Sequence, residues 1–128
     1  RKVVVFVDST ATRKSDVIEC AELLHNILAD PGVARARVPV LVACNKMDNI
    51  RAQGVEPLCK QLEAEMGLYR DTAGSLKAAG TGQHMDSGRF ALGEAGRPLR
   101  FSECPSSVTK AGVSALKGRL KEVSEFLA

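Results

Sequence analysis

No apolar stretch in these 128 residues approaches the ~20 needed to cross a bilayer as a helix. The four cysteines, Cys20, Cys44, Cys59 and Cys104, show no C-x-x-C spacing, and only His25 and His84 are available to join them. That pattern supplies no zinc site and reads as small buried thiols in a reducing compartment. Basic residues are scattered. A net charge of +3 with no lysine- or arginine-rich tract argues against direct nucleic-acid binding. There are no internal repeats. What remains, 45% hydrophobic and 26% charged residues, is the balance of a soluble globular chain with one core.

The apolar residues are grouped. Val3-Val4-Val5-Phe6-Val7 is a continuous β-branched and aromatic run, as expected of a strand buried on both faces, and Asp8-Ser9 follows at its carboxyl end. Asp16 is the expected cap of a helix, with Glu19 completing a capping box. Val17, Ile18, Ala21, Leu24, Ile27 and Leu28 share one face of it, and Asp30-Pro31-Gly32 ends it. A second apolar run, Val40 to Cys44, predicts another strand. Leu58, Leu62, Met66 and Tyr69 predict a second helix, weakened at Gly67. This β-α-β-α alternation predicts a parallel sheet with helices packed outside it.

Residues 71–97 lose periodicity among repeated glycines and predict a flexible loop, with His84-Met85-Asp86 as solvated loop. Val108 to Val113 predicts a third, weaker strand. The closing helix has two registers, one built on Leu120, Val123, Phe126 and Leu127, the other beginning at Val113. Periodicity alone allows both.

The chemistry concentrates in Asn45-Lys46-Met47-Asp48, directly after the second strand, where open α/β sheets bind ligands. A carboxylate such as Asp48 accepts two parallel hydrogen bonds from the ring N–H and exocyclic amine of guanine, a pair that adenine does not offer. The Lys46 stem can lie on a purine face, and Asn45 can tie neighbouring loops together.

With that motif placed, nearly the whole chain resembles the β subunit of the signal recognition particle receptor, in its plant-type versions. Arg1 to Asp8 resembles the family's fourth strand, and Val38-Pro39-Val40-Leu41-Val42-Ala43-Cys44-Asn45-Lys46-Met47-Asp48 its fifth strand and base-reading motif. Gln61 to Met66, ending in Tyr69-Arg70, resembles the following helix. Leu92-Gly93-Glu94-Ala95-Gly96, Phe101-Ser102-Glu103-Cys104 and Val108-Thr109 keep the family's order. The resemblance puts Ser114-Ala115 on the second guanine-contacting element.

The resemblance implies an α/β, partial P-loop GTPase fold: three layers, with a parallel sheet of about three strands flanked by helices. No G-x-x-x-x-G-K-[ST] phosphate loop occurs, Gly112 stands where relatives often carry Glu, and residues 71–91 match poorly. Residues 1–128 are therefore expected to be the carboxyl-terminal part of a small GTPase-like domain, unable by themselves to hydrolyse GTP. The implied ligand is GTP, with Mg only in the intact domain, and Asn45, Lys46, Asp48, Ser114 and Ala115 are the implied site. The implied partner is the receptor α subunit, at the cytosolic face of the endoplasmic reticulum membrane, with attachment through a segment absent from this chain. Two other readings share much of the pattern: an Arf- or Sar-type trafficking GTPase, and a nucleotide-free interaction remnant.

Overall fold

The computed structural model describes residues 1–10, 13–78 and 90–128, with positions 73–78 described by their backbone alone. Three strands, β1 (Val3–Asp8), β2 (Val40–Asn45) and β3 (Val108–Gly112), form one sheet in the order β1-β2-β3. Both pairings are parallel, with Val5 opposite Val42 and Val42 opposite Lys110. Parallel neighbours need long crossovers. Helices α1 (Lys14–Ala29), α2 (Pro31–Arg35) and α3 (Val55–Ala78) provide them, and α4 (Lys121–Leu127) closes the chain.

The central strand shows why a continuous apolar run was needed. Val40, Leu41, Val42, Ala43 and Cys44 are all essentially inaccessible, because α1 and α3 cover one face and α4 approaches the other. The sheet is thus the middle of three layers. Leu24 and Leu28 of α1 meet Leu58, Leu62 and Met66 of α3 in the same core. Fully burying each such side chain contributes about 1.5–3 kcal/mol.

Two local expectations are corrected and a third is extended. Asp16 does not cap α1. The helix starts at Lys14 after Arg13, whose side chain makes no capping bond, and the Asp16 N–H already donates to the Arg13 carbonyl at 3.1 Å. Asp16 therefore sits inside the first turn, where its charge still suits the helix N-terminus. Asp30 ends α1 as expected but also begins α2, its Oδ2 accepting from the Val33 N–H at 3.1 Å. The irregular segment expected from residue 71 begins later, because α3 continues to Ala78. Thr72, Ala73, Ser75, Leu76, Lys77 and Ala78 permit helix, and the lone Gly74 costs only ~1 kcal/mol against alanine. Residues 90–97 contain no helix or strand, and His84-Met85-Asp86 lies outside the described residues.

The closing segment takes the later helical register. Ser114 and Arg119 form an antiparallel bridge around Gly118, whose φ of +69° breaks any helix begun at Val113.

Gly67 lies inside α3, against Leu99. An added Cβ would stand 3.5 Å from the Leu99 Cβ and 3.7 Å from its backbone nitrogen, both ordinary contacts. Gly67→Ala is therefore expected to stabilise the protein by about 0.5–1 kcal/mol through helix propensity. Denaturant titration checks this; destabilisation would mean that Leu99 cannot tolerate the methyl group.

Candidate functional site

All three strands run in one direction, so their carboxyl ends share one edge of the sheet. Asp8 stands opposite Asn45, and Cys44 opposite Gly112. The loop leaving β2 is tied to the chain leaving β3. The Val113 N–H donates to the Cys44 carbonyl at 2.9 Å, and the Met47 N–H to the Val113 carbonyl at 3.1 Å. The intervening Lys46 has φ +66°, left-handed backbone that a non-glycine residue rarely adopts outside a functional turn. Its carbonyl accepts from the Asn49 N–H at 2.9 Å, which closes the turn.

The structure brings the sequence-derived site residues together. Asn45 Oδ1 accepts from the Ala115 N–H at 3.0 Å. The Ser114 hydroxyl donates to Asp48 Oδ1 at 2.5 Å, and its oxygen accepts from the Lys117 N–H at 3.3 Å. The two loops are separated by more than sixty residues in sequence and joined by these side chains. Ser114 is buried, whereas Asp48 and Ala115 are exposed. The Ala115 N–H already has an acceptor, so a ligand carbonyl there would share it with Asn45. Asp48 is held below the usual carboxylate range, first by the Ser114 hydrogen bond and further by the Lys117 and Arg119 charges. It presents a negative charge at neutral pH.

Sequence reasoning placed Asp8 at the strand end but gave it no role. Its Oδ2 lies 2.9 Å from the Lys46 ammonium, and its Oδ1 accepts from the Thr10 N–H at 2.8 Å and the Thr10 hydroxyl at 2.6 Å. Asp8 thus sets the direction of the Lys46 stem, and Thr10 sets Asp8. The usable signal was the parallel pattern itself: a carboxylate ending one strand must stand beside the polar residue ending the next. Ser9, fully buried at this edge, donates its N–H to the Asn45 carbonyl at 3.2 Å and accepts from the Gln53 N–H at 2.9 Å.

The Thr10 hydroxyl and the Lys46 ammonium hold the Asp8 pKa below its ordinary 3.8. A depressed carboxylate contributes stability that is present above the unfolded pKa and lost as pH falls through the folded one. The Asp8–Lys46 pair is therefore expected to persist at pH 5 and to open only below the ordinary range for aspartate. A ¹³C NMR titration of the Asp8 carboxyl checks this, and a midpoint at or above the ordinary value would contradict it.

Among the described residues no group of three His, Cys, Asp or Glu side chains is placed to hold a metal ion. The Asp48 carboxylate can accept from adjacent N–H groups of a planar heterocycle, and no metal is assigned to the strand ends.

Parallel strands flanked by helices, with a polar Asn-Lys-x-Asp loop braced by the loop after the next strand, make a partial P-loop GTPase fold. The family model for the signal recognition particle receptor beta subunit matches residues 1–108, and the chain belongs to that family. The receptor's subunit beta from Rattus norvegicus is 33% identical over 121 residues, covering 92% of this chain and 43% of the relative. That from Dictyostelium discoideum is 30% identical over 126 residues, covering 97% and 43%. The chain thus spans under half the length of these relatives.

Among solved structures, the mammalian SRP receptor aligns with a TM-score of 0.75 and 28% identity, over 98% of this chain and 60% of that one. The receptor SRb with GDP and Mg from Chaetomium thermophilum aligns at 0.76 over 98% and 59%; at 19% identity it shows the fold alone. A complex of SRb-GTP with SRX from the same organism aligns at 0.72, again with 19% identity, over 97% and 48%.

Proposed function

We propose that residues 1–128 supply the guanine-reading half of the receptor's GTP-binding subunit. Asp48 selects guanine, Lys46 covers the base with its stem set by Asp8, Asn45 braces the phosphate loop, and Ser114-Ala115 closes the pocket. The observation that carries this reading is the pair of side-chain ties, Asn45 to Ala115 and Ser114 to Asp48, which hold both loops over one strand edge. Phosphate and Mg contacts fall to a Gly-rich loop outside these residues, because no such sequence occurs within them.

The whole subunit binds GTP, holds the receptor α subunit at the cytosolic face of the endoplasmic reticulum membrane, and so serves co-translational targeting. No helix among the described residues is long and apolar enough to cross a membrane; attachment through a segment absent from this chain is part of the proposal. Nucleotide and partner are proposed from membership of the family; among solved structures of the same fold, one is SRb with GDP and Mg and another SRb-GTP with SRX. Co-purification tests the reading: the subunit carrying this sequence is expected to retain the receptor α subunit with GTP and release it when nucleotide-free. Equal retention in both states would favour a nucleotide-free interaction module.

A further inference from the structure

On the side of the molecule away from the strand ends, a trough of about 840 Å³ runs between the outer face of α3 and residues 96–102, reaching Val108 and Lys110 of β3. β3 is an edge strand of the sheet. Its Ser107 carbonyl accepts from the Val40 N–H and its Val113 N–H donates to the Cys44 carbonyl, both at 2.9 Å. In a parallel ladder alternate residues bond the same neighbour, so positions 107, 109, 111 and 113 serve β2. Val108 and Lys110 turn their N–H and C=O groups the other way, into the trough. At the far end the face of the sheet at Gly112 is filled by Met47 and Val55, each with an atom 3.2 Å from where a Cβ would stand.

The charges lining this trough are unequal in availability. Glu63 accepts from the Phe101 N–H at 2.7 Å, and Asp71 is held by Arg70 at 3.0 Å and the Gly96 N–H at 3.3 Å. Glu56 and Glu94 beside it are paired with Lys110 and Arg97. Each of these four carboxylates thus has a partner within the chain, a cation for all but Glu63. Lys60 and Arg100 line it exposed, and their side chains make no hydrogen bond or ion pair among the described residues. Leu68, 59% exposed, adds an apolar contact on the α3 side.

We infer that this trough is a docking surface for an extended acidic peptide segment of a partner protein, which adds to the β3 edge beside Val108–Lys110. Main-chain bonds to the open edge hold such a segment, alternate side chains reach Leu68, and its carboxylates meet Lys60 and Arg100. The surface lies on a different part of the fold from the Asn45–Asp48 loop and does not depend on nucleotide.

A fluorescein-labelled peptide alternating glutamate and valine, with its lysine-for-glutamate counterpart as control, tests the inference by fluorescence anisotropy on the full chain. The acidic peptide is expected to bind at least ~10-fold tighter than the basic one, with a Lys60→Glu/Arg100→Glu variant reversing that order. Hydrogen exchange read at single residues adds an independent measure, since the Val108 and Lys110 amides are expected to slow with the acidic peptide and not with a short single-stranded oligonucleotide. Equal binding of both peptides, binding that leaves those amides unchanged, or equal protection by the oligonucleotide would overturn the inference.

Discussion

Asp48→Asn is expected to lower GTP affinity by about 10²–10⁴-fold and to raise affinity for XTP, measured in a protein that joins residues 1–128 to the amino-terminal half of a family GTPase domain. A carboxylate accepts from both guanine donors. An amide presents one N–H where an acceptor is required, leaving a buried donor pair facing each other, whereas xanthine offers a carbonyl that suits the amide. The fold is expected to survive, because Asp48 is exposed and an asparagine oxygen still accepts from the Ser114 hydroxyl. Titration with GTP and XTP decides the matter: an unchanged order of preference would remove Asp48 from base recognition.

Arg70→Leu is expected to cost about 2–4 kcal/mol of stability. Arg70 is almost wholly buried, and its guanidinium gathers the segment after α3. It donates to the Leu92 carbonyl at 2.8 Å and to the Arg97 carbonyl, and pairs with Asp71 at 3.0 Å. Leucine fills the stem's volume but leaves both carbonyls without a donor, and Leu92, itself buried, loses its tether. Urea titration of the variant measures the loss. A change under ~0.5 kcal/mol would show that the segment is held by packing of Leu92, Leu99 and Phe101 alone.

The parallel sheet was legible in the sequence because its central strand is apolar at every position, and only burial on both faces explains Val40 to Cys44. The candidate site was nameable for a similar reason: Asn45 to Asp48 follow that strand directly, resemblance to a family added Ser114-Ala115, and the fold brings the two loops together. The ties joining them were not, since Asn45–Ala115 and Asp48–Ser114 depend on how two strand ends lie in space. Asp8 was missed although it stands opposite Asn45, because an acid at a strand end looks like any solvated turn until the register is known. Arg70 was hidden in the same way, its acceptors being backbone carbonyls more than twenty residues away. The end of α3 was misjudged because glycine content outweighed the helix-permitting residues around Gly74. The misplaced α1 cap arose from reading Asp16 and Glu19 as a pair when the chain enters the helix three residues earlier, at Arg13.

The most direct test of guanine recognition at this strand edge is an NMR map of backbone amide shifts as GDP, and separately ADP, is added to the protein joining residues 1–128 to the amino-terminal half. GDP is expected to move the amides of Asn45 to Asp48 and of Ser114 and Ala115 most among those of residues 1–128, and ADP to leave them near their starting positions. Equal shifts with both nucleotides, or GDP shifts centred elsewhere in residues 1–128, would contradict guanine recognition at this edge.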